Sequence, residues 1–288
     1  MPTIEFRTFE TEAYELFKPV LAKSFMPDWW KKMKVQSIHR NLKTQTIRSC
    51  PAMHDWLTMG WYMISCVDIM IDVDESTYPN KRFYAKEIEP QKGQKYASAS
   101  HGSNQVHDYF TYLGADGPVK DAFKLRAPWN IKVPQGYSIM HIDPFMFQNK
   151  HFATWQGIID ADGFNVNMDN AQIIFYPKTD EPFIIPKNTP LVQIIPFKRD
   201  EWHATYLLAE EPYIYEELRS ERSAQRGQEM WKYKATSKGK DVDEALNIGG
   251  YRSAGIWQEK GQFFSEDECP FHKKKEDDSP ETQLELDV

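Results

Sequence analysis

Gly157-Ile158-Ile159-Asp160-Ala161-Asp162-Gly163-Phe164 places two carboxylates and an aromatic ring on one short turn between apolar runs. A carboxylate at a strand end can take a proton, orient a water or accept hydrogen bonds from a sugar hydroxyl, and a ring beside it can stack on a flat ligand. Asp160 is therefore the candidate catalytic residue, with Asp162 and Phe164 as ligand-binding candidates. The same pattern is also ordinary turn chemistry, because Asp readily bonds backbone amides in a tight turn. Both readings stay open. Trp155 precedes Asp160 by five residues, so strand alternation sets it on the opposite face.

His141-Ile142-Asp143 is a second constellation. On a strand an H-x-D pair shares one face, and a distant third ligand, His203 or His151, would complete a two-histidine, one-carboxylate Fe(II) centre of the oxygenase kind. The competing reading is a solvent-facing His141 and an Asp143 that caps the turn at Pro144. His101 and His107 in HGSNQVH match no ligand spacing, and read as a surface loop. Cys50 precedes Pro51 at a helix start, where a thiolate would be stabilised, although a buried inert thiol is the simpler role; Cys269 and His272 near the C-terminus suggest no ligation. The sequence holds no P-loop, no G-x-G-x-x-G, no G-x-S-x-G and no H-E-x-x-H.

The elements that must position these groups are mostly strands. Short apolar or alternating runs fill residues 123–200, separated by Pro134-Gln135-Gly136, Asp162-Gly163, Pro177–Asp180 and Pro186-Lys187-Asn188. Strands at such intervals predict a sandwich or barrel. Residues 3–7, 44–48, 108–113 and 61–73 also read as strand, the last with a bend; residues 75–107 read as irregular. Helical spacing of Ala13, Leu16, Phe17, Val20 and Leu21 predicts a helix within 10–26, cut short by Pro19. Asp28 reads as the cap of a short aromatic helix, and Cys50–Leu57 as another with proline near its first position. Residues 213–234 carry charges at helical spacing, and 235–262 read as loop.

Composition narrows the classes. The 288 residues carry a net charge of −7, which argues against a general nucleic-acid binder. No run of 18 apolar residues is present, so no membrane-spanning helix is expected, and the acidic N-terminus does not read as a signal peptide. Three scattered cysteines make no disulfide framework, which leads to a reduced, cytoplasmic setting as the expectation. The last sixteen residues, with three lysines and six acids, are expected to be disordered. Truncation at Pro270 should accordingly leave the thermal midpoint unchanged in a melting scan; a drop of several degrees would show that the tail docks.

Pro134-Gln135-Gly136-Tyr137, then Gly157–Asp162, then Leu191-Val192-Gln193 occur in an order and spacing that give residues 128–197 a resemblance to the dUTPase and dCTP-deaminase superfamily, the β-clip fold. The resemblance implies a nucleotide-like ligand and puts Asp160 on the aspartate that orients the hydrolytic water and the sugar. It also marks departures. Gly163 stands where the base-stacking tyrosine belongs, with Phe164 one position later. The Pro-Arg-Ser phosphate grip falls on Pro144-Phe145-Met146, and the glycine and arginine of the last motif fall on Asn188 and Pro190. Phosphoryl transfer rests on positioning and charge neutralisation, so these losses speak against triphosphate hydrolysis by that route. By the same topology, Lys198 and Arg199 are the nearest basic candidates for a ligand's anion. Pro27–Met33, Arg48–Trp56, Pro128–Ser138 and Gln193–Trp202 also resemble a family of about this length from phages and bacteria, a resemblance that implies one integral unit and no particular reaction.

The resulting expectation is an α+β, mainly β chain: a sandwich or β-clip barrel over 44–205, an N-terminal helical arm over 1–43, a C-terminal helical and loop extension over 206–272, and an acidic tail over 273–288. Three functions are open: a phage-type protein that binds or processes a nucleotide-like small molecule, a non-catalytic phage accessory scaffold, and an iron oxygenase built on His141, Asp143 and His203. A homo-oligomer is compatible with each, and no cofactor is assigned.

Overall fold

The computed structural model describes residues 1–39, 42–74, 82–87, 97–100, 122–163, 172–206, 220–221 and 263–264. The N-terminal third holds β1 (Glu5–Arg7), α1 (Thr11–Leu16), β2 (Val20–Leu21), α2 (Asp28–Lys32), β3 (Gln36–His39), β4 (Leu42–Gln45), α3 (Pro51–Thr58), β5 (Trp61–Ile64) and β6 (Ile69–Asp74). Next come β7 (Arg82–Glu87), β8 (Ala97–Ser100), β9 (Phe123–Arg126), β10 (Asn130–Lys132) and β11 (Tyr137–Ile142). The last strands are β12 (Phe152–Thr154), β13 (Gly157–Ile159), β14 (Gln172–Pro177), β15 (Phe183–Ile185) and β16 (Pro190–Lys198).

Among the described residues the strand pairs are antiparallel. A five-stranded sheet runs β13-β11-β16-β5-β2, a four-stranded sheet β12-β14-β9-β8, and a three-stranded sheet β15-β6-β7. β1 pairs with β10, and β3 with β4. Among the described residues these sheets are open, so the architecture is a sandwich and not a closed barrel.

One apolar core joins the three larger sheets. Met63, Ile139, Val192 and Ile194 face Phe123, Leu125, Ile173 and Phe175, with Ile69, Ile71, Phe183 and Ile185 closing the side. Burying each such side chain contributes about 1.5–3 kcal/mol. Aromatic rings lock the layers: Phe152 meets Phe175 edge-on at 5.1 Å and lies parallel to Phe183 at 6.1 Å. The N-terminal arm is woven into this core. Ala13 and Phe17 are buried in it, and the indole N–H of Trp129 donates to the Phe17 carbonyl at 2.9 Å. The other face of the five-stranded sheet buries Tyr62 and Ile64 in a second cluster; Trp30, Leu57 and Met146 form a third beneath α2 and α3.

Local details correct the sequence reading. The helix expected within 10–26 ends at Leu16, because Pro19 lacks an N–H and disfavours helix at the residue before it. β-branched Val20 then joins Leu21 as a strand opposite Tyr62 and Trp61. Asp28 lies in the first turn of α2, with Pro27 at the cap position. The strand expected at 44–48 is β4, shifted back to Leu42–Gln45, and Ile47–Ser49 form a 3-10 turn. The bend within 61–73 is real: β5 and β6 are separated by Ser65–Asp68, and the backbone of Ser65 exchanges hydrogen bonds with Asn188 and Thr189 at 2.8 Å each. Residues 75–107, expected to be irregular, contain β7 and β8. β7 is a strand because β6 pairs with it along its whole length, from Ile69↔Glu87 to Asp74↔Arg82, and context outweighs its polar composition. The strand expected at 108–113, the loop at 235–262 and the tail lie outside the described residues, as does the helix at 213–234 apart from residues 220–221.

Candidate functional site at the Asp160 turn

Three backbone segments converge at one end of the five-stranded sheet. β11 begins after a turn over Pro134–Tyr137, closed by Tyr137 N–H to Pro134 O at 3.1 Å. Its third residue must take a positive φ, and Gly136 does so at 84°. β13 pairs with β11 so that Ile159 lies opposite Ile139, which brings Asp160 beside Ser138. β16 pairs with β11 through Lys198 opposite Tyr137, and Arg199 N–H then donates to Gly136 O at 2.9 Å. The acidic turn is closed by Gly163 N–H to Asp160 O at 3.2 Å and anchored by Ala161, which is buried in the core.

The side chains form one network. The Ser138 hydroxyl, fully buried, donates to Asp160 Oδ1 at 2.6 Å. Arg199 Nη1 lies 3.0 Å from the same oxygen, 3.1 Å from Ser138 Oγ and 3.1 Å from Asp162 Oδ1, while Nη2 bonds Asp162 Oδ2. Gly136 N–H also donates to Asp162 Oδ2 at 2.9 Å. The Ser138 hydroxyl first and Arg199 second hold the Asp160 carboxyl below the usual carboxylate range. Arg199 and then the Gly136 amide do the same for Asp162, and both acids in turn raise Arg199. All three are charged at neutral pH. The two acids differ in access: Asp162 is 9% exposed and Asp160 64%. Among the described residues, Asp160 Oδ2 accepts no side-chain hydrogen bond. Asp160 is thus an ionised, largely exposed acceptor fixed through one oxygen, whereas Asp162 is committed to holding the turn.

The structure brings Asp160, Asp162 and Arg199 together; Lys198 turns to Asp200 instead. Phe164 lies outside the described residues. Ser138 was missed by sequence reasoning, and its only signal is its place directly after Gly136-Tyr137. At Pro144–Met146, where the resemblance would place a phosphate grip, Phe145–Phe147 form a 3-10 turn, and the Met146 carbonyl accepts the Trp29 indole N–H at 2.7 Å. The Gln193 amide is likewise engaged, donating to the carbonyls of Trp56 and Met59 at 2.8 Å each.

The H-x-D pair is arranged otherwise than expected. His141 does not face solvent: it is 5% exposed and lies opposite Gly157 and the core residue Ile194. Burial pushes its pKa down to about 4, so it is neutral, and its Nε2 has no partner among the described residues. The Asp143 side chain does not cap the Pro144 turn but reaches β12, where Oδ1 accepts the Thr154 N–H at 2.8 Å. Burial raises the Asp143 pKa, and the bond from Thr154 partly opposes this. His203 is exposed beyond β16, and His151 is exposed and stacks on Phe183 at 5.4 Å. Among the described residues, no three His, Cys, Asp or Glu side chains are placed to hold a metal ion. Neither Cys50 nor Cys66 is in a disulfide, and Cys66 is buried; His101, His107, Cys269 and His272 lie outside the described residues.

No family model matches this chain, and no curated protein sequence matches it. Solved structures similar to it include a native dUTPase from EIAV, at 12% identity and a TM-score of 0.29, over 53% of this chain and 85% of that one. A dUTPase from Staphylococcus aureus phage phi11 is similar at 10% identity and a TM-score of 0.31, over 73% of this chain and 97% of that one. The dUTPase of Staphylococcus bacteriophage 80alpha with dUPNHPP is similar at 11% identity and a TM-score of 0.27, over 73% and 89%.

Proposed function

We propose that this is a phage-type cytoplasmic protein that binds a hydroxyl-bearing, nucleotide-like small molecule at the Asp160 turn and does not hydrolyse triphosphates there. One observation carries the reading: Asp160 is held ionised and oriented by a buried hydroxyl and a guanidinium, while its side chain stays 64% exposed. Such an acceptor suits a sugar hydroxyl or a base N–H, because its geometry is set before the ligand arrives. The neighbouring cation speaks against a phosphate grip. Arg199 spends its fork on Asp160 and Asp162, and Lys198 is paired with Asp200, so a phosphate would have to displace a carboxylate.

Titration calorimetry with deoxyuridine, dUMP and a non-hydrolysable dUTP analogue tests this. Binding should be similar for all three, within about threefold, and should weaken at least about tenfold in Asp160→Asn, one hydrogen bond to a charged group being worth about that much. The melting point of the unliganded variant should hardly change. A second reading, a non-catalytic accessory scaffold, is favoured by the closure of Asp162, Arg199 and Gly136 into a turn clamp. It takes over if wild type binds none of the three while Asp160→Asn melts several degrees lower, and a partner co-purifies with the wild type.

A further inference from the structure

Trp61 starts β5, opposite Leu21 on one side and Ile194 on the other. Its indole is half-buried and receives two ring edges. Phe6 meets it at 5.7 Å and 64°, and Phe263 at 5.4 Å and 86°. Next to it, Lys23 places its ammonium 5.3 Å from the centre of the Phe264 ring. Lys23 is held there by the 3-10 turn Ala22–Ser24, whose first amide donates to Gly60 O at 2.9 Å. An edge-on aromatic pair and a cation over a ring are both favourable contacts with defined geometry. Phe263 and Phe264 are adjacent in sequence and use both, one after the other.

We infer that Phe6, Lys23 and Trp61 form a receptor surface for a peptide with two adjacent aromatic rings, filled by the chain's own Phe263-Phe264. Loop-closure entropy grows only with the logarithm of loop length, so a contact between residues about 200 apart remains feasible. Once tethered, the segment competes with any free peptide at a high effective concentration. The surface is separate from the Asp160 turn, because β5 flanks β16 on the side away from β11 and β13.

A fluorescently labelled peptide covering residues 259–269, titrated into the full-length chain and into full-length Phe263→Ala/Phe264→Ala, tests the inference by anisotropy. The peptide should bind the double variant at least about tenfold more tightly than wild type, and Lys23→Ala added to the double variant should weaken it again. Equal binding to both proteins, or binding to neither, overturns the proposal. Should the double variant not fold, Lys23→Cys/Phe264→Cys in a Cys50→Ser/Cys269→Ser background gives a second route. A short bismaleimide should then produce an intramolecular bridge, with either single-cysteine variant unbridged. Bridges only between chains, or none, also overturn it.

Discussion

Replacing Gly60 with alanine is expected to cost more than about 3 kcal/mol and to lower the thermal midpoint by roughly 6–12 °C. Gly60 links α3 to β5 and has φ 70°, a region that L side chains rarely occupy. Strain alone would account for about 1–3 kcal/mol. The larger effect is a collision. A Cβ on Gly60 would overlap the carbonyl oxygen of Ile194 and stand 3.0 Å from its carbonyl carbon and 3.3 Å from Ile195 Cα. These are backbone atoms of β16, the middle strand of the five-stranded sheet, fixed by β11 on one side and β5 on the other. The strand cannot yield without breaking a ladder. Gly136 supplies the control, because its φ is 84° but a Cβ there meets nothing within 4 Å. Gly136→Ala should therefore show only the strain. Urea denaturation of the two variants decides the matter: equal losses would mean that the approach to β16 is not what demands glycine at position 60.

The same strand shows which parts of the fold are legible in sequence. Residues 190–197 form a mostly apolar run between a turn and two basic residues, so β16 could be read directly, as could β11 and β15 with their flanking prolines and glycine. Arg199 could be located but its partners could not. Its pairing with Asp160 and Asp162 depends on the register of β16 on β11 and of β11 on β13, and register is a non-local property. Ser138 was hidden for the same reason. His141 was misread because alternation assigns a residue to a face without saying which face is wet, and in this sheet Ile139 and Ile142, on opposite faces, are both buried. β7 and β8 have no apolar pattern that would announce them, and their strand state comes from the partners they join. The acidic turn itself was plain in sequence. That Asp162 holds the turn while Asp160 stays open was not, since exposure is set by Gly136 and Arg199, which lie far away along the chain.

Acidification from about pH 6.5 to pH 4 is expected to remove up to roughly 3 kcal/mol of stability, chiefly through His141. The imidazole is buried, its Nε2 has no partner among the described residues, and its pKa falls from 6.5 in the unfolded chain to about 4 in the fold. The folded state therefore binds this proton less readily than the unfolded state does. The stabilisation by neutral His141 is fully present above pH 6.5 and is lost as the pH falls toward the folded pKa. Asp143 acts in the opposite sense. Burial raises its pKa, so the fold takes up its proton more readily and gains relative stability as the pH drops, which offsets part of the loss near pH 4. Asp160 and Asp162, whose pKa values are lowered in the fold, lose their contribution only below the ordinary carboxylate value near 3.8, in a separate and more acidic window. His141→Leu keeps an apolar group of similar size on the core face and removes the titration. Its absolute stability reports on packing, so the slope is the quantity to compare. Between pH 6.5 and 4 the midpoint of urea unfolding should fall steeply for wild type and stay nearly level for the variant, with both declining below about pH 4. Parallel slopes across that window would show that the buried imidazole is not the group that binds the proton on unfolding.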